Sequence, residues 1–169
     1  MNIIKTKLDG VLLIKPDIYE DFRGINMELH NDAVFRKHGI NITFIQDNIS
    51  VSSKGVLRGI HGDNYTWKLL SCLSGRVYFV VVNCNANAPD FGKWESFILS
   101  DTNRHQVLVP PLYGNAHLAL SDSITMHYKL SAHYNLEDQF TYRWDDKRFN
   151  IWWSIKHPLL SDRDEVSHS

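Results

Sequence analysis

The chain has 169 residues and a formal net charge of −1 at pH 7, with basic and acidic residues interspersed along it. That length fits one domain with a sizeable core, and the charge balance gives no indication of nucleic acid or a charged membrane surface as a partner. The longest apolar run, residues 77–82, is too short for a transmembrane helix, and residues 1–5 lack the apolar core of a signal peptide. We therefore expect a cytoplasmic protein.

Turn signals recur along the chain and separate short runs of residues with high strand propensity. The turns are centred on residues 9–10, 23–24, 54–55, 74–75, 88–90 and 110–111, and the strand-like runs are residues 11–14, 42–45, 56–60, 77–82, 96–99 and 106–109. One helix is predicted over residues 32–38, between Asn31 as N-cap and Gly39 just past its end. This pattern predicts an all-β sandwich or barrel.

Residues 124–130 form the clearest predicted strand, because apolar and polar residues alternate in it. Its apolar face holds Ile124, Met126, Tyr128 and Leu130. Tyr128 is therefore predicted to point inward, and His127 toward solvent. In a barrel that holds a ligand, inward means facing that ligand, although a tyrosine of an ordinary core fits the same pattern.

Three ionisable residues within apolar stretches suggest chemistry: His61, Lys68 and Tyr128. A base, a fixed cation and a phenol are the groups that isomerisation of a carbon next to a ketone requires. Each has a plainer interpretation. A strand histidine is more often structural, and Lys68 could be an edge lysine with only its stem buried; a buried Lys68 needs an anionic partner or ligand.

The remaining motifs are weaker. Arg23 and Arg58 each precede a glycine, and their guanidinium groups could hold a diphosphate, although most arginines form surface ion pairs. Cys72 and Cys84 are too few for a disulfide scaffold; two reduced, buried thiols are the simplest interpretation, and one bridge stays open.

The spacing of the nine histidines does not predict a metal site. Metal sites on two strands of small β-barrels use a His-x-His pair with a glutamate, whereas His61 is followed by Gly62 and Asp63. No P-loop, dinucleotide fingerprint or nucleophile elbow occurs in the sequence.

Taken together, these segments resemble the cupin-fold nucleotide-sugar epimerases typified by dTDP-4-dehydrorhamnose 3,5-epimerase. The matching segments lie in one order along nearly the whole chain, at residues 21–24, 44–50, 55–61, 68–69, 91–94, 120–122, 143–146 and 160–164. The resemblance implies an all-β, cupin-type jelly-roll barrel with one or two short helices, in a single domain spanning residues 1–169.

The resemblance also implies roles for the ionisable residues. His61 is the general base and Asp164 orients it; Lys68 stabilises the enolate, and Tyr128 is the acid on the opposite face. No cofactor or metal is implied, because the ketone of the substrate is the electron sink. Positions that hold the nucleotide diphosphate in this family match Arg23, Glu28, Gln46, Asn48 and Arg58, and Tyr134 matches an aromatic of the sugar pocket. The Arg23 segment of the family reaches into the neighbouring subunit, which implies a homodimer with exchanged N-terminal strands.

This chain departs from the family pattern at three positions. Asn115 stands where the family has a second pocket histidine; it can hydrogen-bond a sugar but cannot act as a base. His117 shares its face if the strand is regular, and could substitute for that histidine. Asn83 replaces a usual aspartate, and Gln139 a frequent glutamate.

A short loop between His61 and Lys68, together with residues 114–117 and 138–142, is similar to a branch that acts on GDP-linked 4-keto-6-deoxy-heptoses for capsular polysaccharide. Members of that branch invert C3, or C3 and C5. We predict an epimerase of nucleotide-linked 4-keto-6-deoxy sugars for O-antigen or capsule synthesis, with either GDP or dTDP as carrier. The alternatives are a 3,4-ketoisomerase of the same fold and a non-catalytic cupin that binds sugar nucleotides.

Overall fold

The computed structural model describes residues 1–166, which form thirteen strands and two short α-helices. The first six strands are β1 (Asn2–Lys5), β2 (Leu12–Lys15), β3 (Ile18–Asp21), β4 (Gly24–Met27), β5 (Gln46–Ser53) and β6 (Leu57–Gly62). The others are β7 (Lys68–Ser74), β8 (Arg76–Asn83), β9 (Trp94–Ser100), β10 (Gln106–Val109), β11 (Tyr113–Ala119), β12 (Ser123–Leu130) and β13 (Phe140–Thr141). The helices are α1 (Asp32–Lys37) and α2 (Asp162–Glu165), with a 3₁₀ turn at Leu136–Asp138.

Two antiparallel sheets pack face to face. The six-stranded sheet has the order β1-β2-β10-β7-β12-β5, and the five-stranded sheet has the order β13-β6-β11-β8-β9. Apart from the consecutive pairs β1-β2 and β8-β9, neighbouring strands in both sheets are distant in sequence, as in a jelly roll. The prediction of an all-β jelly-roll with one or two short helices is confirmed.

The core lies between the sheets and is built by alternation along each strand. In β12, Ile124 and Met126 are fully buried and point toward Val77 and Phe79 of β8. Burying a side chain of this size contributes roughly 1.5–3 kcal/mol. Because successive residues point to opposite faces, the same alternation turns Tyr128 inward and His127 outward.

Helix α1 covers the outer face of the six-stranded sheet. Asn31 caps it as predicted, since its side-chain oxygen accepts a hydrogen bond from the Val34 backbone N–H. Phe35 is fully buried against Leu69 of β7 and Leu108 of β10. This apolar contact holds a helix that is too short to be stable alone.

The strand predicted at residues 42–45 is wrong. Ile42 and Phe44 pack against the cluster beneath α1 and pair with no strand, and β5 begins only at Gln46. An apolar run can therefore serve a buried connection as well as a strand, and a short run does not distinguish the two.

The hairpin of β3 and β4 stands apart from both sheets. Its two strands pair with each other in a separate two-stranded sheet. It exposes large apolar side chains: Tyr19 is 66% exposed, Phe22 98% and Ile25 45%. Large apolar side chains exposed on a hairpin that joins neither main sheet are typical of an interaction site.

Cys72 and Cys84 are both buried and unpaired, so the bridge between them does not form. They lie in different apolar clusters of the barrel. Within residues 1–166, no helix has both the length and the apolar character needed to cross a bilayer.

Candidate active site

A cavity of about 540 Å³ opens between the two sheets, and most of the predicted site residues line it. Its lining includes His61 of β6, Lys68 of β7, Asn115 and His117 of β11, Tyr128 of β12, Asn48, Arg58 and Tyr134. The five-stranded sheet supplies His61 and the six-stranded sheet supplies Lys68 and Tyr128. The imidazole and the phenol therefore reach the same space from different sheets.

His61, which is partly buried, pairs with the buried Asp164. The Nε2 atom of His61 lies 2.6 Å from Oδ1 of Asp164, and the Asp164 side chain is only 3% exposed. Asp164 is held in turn by Ser161, the N-cap of α2, whose hydroxyl donates to Oδ2 at 2.9 Å. The short helix α2 therefore fixes the carboxylate behind the imidazole.

The electrostatics of this pair favour a neutral imidazole. Burial lowers the pKa of His61 below its usual value, and the attraction of Asp164 only partly offsets that effect. Burial raises the pKa of Asp164, but hydrogen bonds from His61, Ser161 and the Gly59 N–H outweigh it, so that the net shift is downward. A neutral ring beside a charged carboxylate can accept a proton and stabilise the resulting cation.

Gly59 brings the backbone of β6 close to that of β11. Its φ is +117°, and a Cβ added there would lie 2.5 Å from the Asn115 carbonyl oxygen and 2.7 Å from Ala116 Cα. The register of the two strands also shifts between Asn115 and His117, which marks a bulge. The glycine therefore permits close approach of a neighbouring strand, two residues before His61.

Lys68 is buried and has an anionic partner, as a lysine in this position requires. Its Nζ lies 3.7 Å from Oδ2 of Asp63, with side-chain exposures of 10% and 2%. Asp63 also accepts hydrogen bonds from Gln139 Nε2 at 2.8 Å and from the backbone N–H groups of Tyr65 and Thr66. The edge-lysine interpretation is therefore wrong.

Tyr128 faces the cavity, and Ser50 of the neighbouring strand β5 lies 3.1 Å from its hydroxyl oxygen. Burial raises the pKa of Tyr128, and the Ser50 hydrogen bond and the Arg58 charge only reduce that rise. The phenol is therefore protonated at neutral pH. Arg58 is fixed by a hydrogen bond from its Nε to Ser52 at 3.0 Å.

His127 occupies the outer face, as the alternation predicts, but it does not face open solvent. Its side chain is 15% exposed, and its Nε2 lies 2.9 Å from Oδ1 of Asp47 on β5. The prediction of a solvent-facing residue is wrong in degree, because the adjacent strand supplies a partner that covers the ring.

Asn115 and His117 share the cavity face of β11, while Ala116 between them packs into an apolar cluster on the other side. Both carry a buried atom without a hydrogen-bond partner, Oδ1 of Asn115 and Nε2 of His117. Burial lowers the pKa of His117 to about 3. A neutral amide and a neutral imidazole therefore line one wall of the cavity.

The predicted diphosphate ligands are placed unevenly. Asn48 and Arg58 line the cavity, and Gln46 holds two neighbours by donating to Asn48 Oδ1 at 3.0 Å and accepting from the Tyr134 N–H at 2.9 Å. Arg23 lies on the detached hairpin and is paired with Asp21.

Glu28 follows that hairpin and accepts a hydrogen bond from Asn31, outside the cavity lining. Neither Arg23 nor Glu28 reaches the cavity of its own chain.

Seven lining residues were not among the predicted site residues: Asp47, Ile49, Ser50, Asp63, Leu130, Gln139 and Arg163. Arg163 lies beside the dyad on α2 and donates to the Thr141 hydroxyl and, at 3.1 Å, to the Tyr134 hydroxyl. Because these partners are neutral, they leave its charge available to the cavity. The Arg163-Asp164 dipeptide was a usable signal, since a residue next to the orienting carboxylate must lie near the base.

A search for metal ligands gives a separate result. In the part of the chain that the structure describes, no group of three or more His, Cys, Asp or Glu side chains is arranged to hold a metal ion.

Comparisons with known proteins identify the family of this chain. The family model described as dTDP-4-dehydrorhamnose 3,5-epimerase matches residues 5–169. The dTDP-4-dehydrorhamnose 3,5-epimerase of Shigella flexneri is 39% identical over 168 residues, covering 97% of this chain and 93% of that protein.

Solved structures match along the same length. The dTDP-6-deoxy-D-glucose-3,5-epimerase of Legionella pneumophila, in complex with dTDP-4-keto-L-rhamnose, has a TM-score of 0.94 and 35% identity, with coverage of 98% and 90% of the two chains. A 3'-monoepimerase from Streptomyces bikiniensis, in complex with dTDP-quinovose, has a TM-score of 0.89 and 32% identity, covering 95% of this chain and 83% of that one. This chain belongs to the dTDP-4-dehydrorhamnose 3,5-epimerase family.

Proposed function

We propose that this protein is a cytoplasmic epimerase that inverts C3, or C3 and C5, of a nucleotide-linked 4-keto-6-deoxy sugar through an enolate. The observation that carries the proposal is the His61–Asp164 dyad beside a cavity that also holds Lys68 and Tyr128. Family membership supports the reaction type. The sugar product serves O-antigen or capsular polysaccharide synthesis.

Proton abstraction falls to His61. Its Nε2–H group donates a hydrogen bond to Asp164. The Nδ1 atom therefore carries the lone pair that accepts the proton from the carbon next to the ketone. The positive charge that then forms on the ring is stabilised by Asp164. Positioned acid–base groups of this kind contribute roughly 10²–10⁴-fold in rate.

Lys68 stabilises the enolate oxygen and Tyr128 returns the proton. The Lys68 ammonium group is fixed in a nearly dry site, where a charge stabilises a developing oxyanion by a few kcal/mol. Tyr128 donates from the six-stranded sheet, so its proton reaches the sugar from a different side than His61, and the carbon is inverted. The ketone of the substrate is the electron sink, and no cofactor or metal takes part.

Asn115 and His117 bind the sugar. The free Oδ1 of Asn115 accepts a hydrogen bond from a sugar hydroxyl, and the free Nε2 of His117 lies on the same face of β11 to bind a second one. Whether one carbon or two exchange depends on which ring protons the bound sugar presents to His61.

Arg58, Asn48 and Gln46 bind the diphosphate. Tyr134 contacts the sugar or the bond that joins it to the diphosphate. Arg163 adds a second guanidinium to the same cavity. Guanidinium groups bind phosphate oxygens bidentately, which supports binding of the doubly charged diphosphate of the substrate here.

Arg23 and Glu28 act in the site of a partner subunit, in a homodimer that exchanges the N-terminal strands β3 and β4, whereas β1 and β2 pair within their own chain. The support is the detached apolar hairpin β3–β4 together with β5, which ends the six-stranded sheet and exposes Ile49 and Val51 at 62% each. A second copy supplies matching surface to both through a two-fold axis.

Mixing two inactive variants tests this exchange. Neither Arg23→Gln nor His61→Asn is expected to turn over alone at the wild-type rate. After co-refolding at equal amounts, heterodimers with one intact site should recover up to about a quarter of wild-type activity. Recovery no greater than the sum of the two variants would show that Arg23 acts within its own chain or not at all.

We propose that this chain belongs to the branch that acts on GDP-linked 4-keto-6-deoxy-heptoses. The support is the short connection from His61 to Lys68, the Asn115–His117 pair, and the Gln139 that reaches Asp63. A short connection and an amide in place of an imidazole leave room for a longer sugar. The relatives above carry dTDP in their names, so the nucleobase needs a direct test.

The experiment is incubation with GDP- and dTDP-linked 4-keto-6-deoxy sugars in D₂O, read by NMR. Deuterium at C3 alone indicates a 3-epimerase, and deuterium at C3 and C5 indicates a 3,5-epimerase. A carbonyl that moves from C4 identifies a 3,4-ketoisomerase. Binding without any exchange identifies a non-catalytic cupin.

The His61→Asn variant is the matched control for that experiment. It keeps a polar side chain of similar size but lacks the base, so deuterium incorporation should cease at every carbon. Persistent exchange would move the base elsewhere, with His117 as the next candidate.

A further inference from the structure

Lys68 is buried, and none of the roles proposed above explains how its side chain stays protonated. Its side chain is 10% exposed, and a buried ammonium group loses its proton unless a negative charge lies close. The proposed reaction, on which this inference rests, needs the ammonium form before the substrate has developed any negative charge at its ketone.

Asp63 is built to meet that requirement. Its two carboxylate oxygens have separate tasks: Oδ1 accepts from the backbone N–H groups of Tyr65 and Thr66 at 3.0 and 2.6 Å, whereas Oδ2 faces Lys68 and Gln139. The carboxylate is 2% exposed, and burial alone would raise its pKa. The Lys68 charge and these hydrogen bonds outweigh burial, so that the net effect on the Asp63 pKa is a decrease.

We propose that Asp63 is a positioning residue that keeps Lys68 charged and directed into the cavity, and that Gln139 holds Asp63 in place for this task. Asn83, at a position where the family usually has an aspartate, does not contribute: it donates to Asp90 at 2.9 Å and accepts from the Asn85 N–H, which fixes a loop. The carboxylate for the lysine comes instead from the loop that follows β6.

The other ionisable groups around Lys68 do not replace Asp63. Arg163 from α2 and a protonated His61 from β6 both oppose a second positive charge. Burial raises the pKa of Cys84 to about 12, so this thiol stays neutral. Burial lowers the pKa of Lys68, and Asp63 is the main group that opposes the decrease.

The variant Asp63→Asn separates this charge from the structural role of the side chain. An asparagine Oδ1 still accepts from the Tyr65 and Thr66 N–H groups, and its amide can still bond Gln139 if the glutamine amide turns over. The substitution therefore removes one negative charge and retains the turn.

The first measurement is an NMR titration of lysine ¹³Cε signals in labelled protein without substrate, with Lys68 assigned from Lys68→Met. We expect Asp63→Asn to lower the Lys68 pKa by about one unit or more, and Gln139→Leu to lower it less. An unchanged Lys68 pKa in Asp63→Asn would overturn the proposal. If that variant does not fold, the Gln139→Leu titration is the test, and an unchanged Lys68 pKa there would likewise overturn the proposal.

The second measurement is the pH dependence of kcat and KM for epimerisation. In Asp63→Asn we expect kcat at pH 8 to fall about tenfold or more, its alkaline limb to move to lower pH, and KM to change less. Asp101→Asn is the matched control, because Asp101 also caps a turn, by accepting from the Gly75 N–H at 2.7 Å, away from the cavity. A uniform loss of kcat with an unmoved alkaline limb would assign Asp63 a purely structural role.

The two measurements fail in different ways. If the chain proves not to be an epimerase, no variant shows turnover, yet the Lys68 titration still reports the ion pair. If the chain epimerises and Asp63→Asn leaves both the titration and the alkaline limb unchanged, only the role of Asp63 is refuted.

Discussion

The His61 imidazole lies between two opposing influences, burial and the Asp164 carboxylate. Because burial is the larger and lowers the pKa of His61, the basic form persists below the usual value of 6.5. We therefore expect kcat/KM to stay level down to that pH and to fall only at more acidic values. A pH profile with an acidic limb above pH 6.5 would contradict this placement of the base.

Replacing Asp164 with Asn tests the orienting role. The rate should fall by roughly 10²-fold or more, since the imidazolium loses its counter-charge. The acidic limb should move to lower pH, because Asp164 raises the His61 pKa. Asp162→Asn, an exposed change on the same helix, should leave both quantities near wild type. An acidic limb that moved upward would refute the assignment.

Tyr128→Phe should separate proton removal from inversion. His61 is intact in this variant, so deuterium still enters the substrate from D₂O, but the proton donor for the other side is missing. We expect inversion to slow by roughly 10²-fold or more while exchange continues. Tyr78→Phe, on β8 beside Trp152 and Trp153, is the control. Equal loss of exchange and inversion would show that Tyr128 serves another purpose.

At the scale of the strands, the contact between β6 and β11 depends on Gly59. Alanine there meets a strained φ of +117° and backbone atoms 2.5–2.7 Å from its Cβ. We expect Gly59→Ala to destabilise the fold by about 3 kcal/mol or more, seen as a lower Tm. Gly39 has a φ of +81°, and a Cβ added there would meet no atom within 4 Å. Gly39→Ala therefore measures the loss of stability that comes from the backbone conformation alone. Similar losses in both variants would show that the close approach costs nothing extra.

The whole molecule should lose stability in acid through its buried histidines. The folded chain protonates His117 only near pH 3, whereas the unfolded chain does so near 6.5, so falling pH favours unfolding. The contribution of neutral His117 to the free energy of unfolding is fully present above pH 6.5. It declines toward pH 3 by up to about 1.4 kcal/mol per pH unit. His61, whose pKa is also lowered, acts in the same direction.

Urea unfolding between pH 8 and pH 4 measures this effect. His117→Asn should flatten the decline in the free energy of unfolding, and the exposed His133→Asn should keep the wild-type slope. An identical slope in wild type and His117→Asn would mean that another group controls the acid response.

Much of the fold follows from local pattern. Alternation placed Tyr128 inward, and the signal from Asn31 to Gly39 located α1 within one residue. The same local rules failed for residues 42–45, because an apolar run does not specify whether a strand or a helix will cover it. The site was less accessible to such rules, since Asp63 and Arg163 act on partners that only the folded barrel brings near.

The order of the amino acids is enough to predict the kinds of group available: a candidate base, a lysine in an apolar run, an inward phenol and, through the family resemblance, a carboxylate to orient the base. Residue type and alternation are local properties, so they can be deduced from the order of the amino acids. The packing of the two sheets brings Asp164 to 2.6 Å from a histidine 103 positions earlier, and it places the Asp63 carboxylate 3.7 Å from the Lys68 ammonium group while Asn83 bonds to Asp90. Those pairings depend on which strands become neighbours and on how closely Gly59 lets them approach, which are properties of the packed sheets.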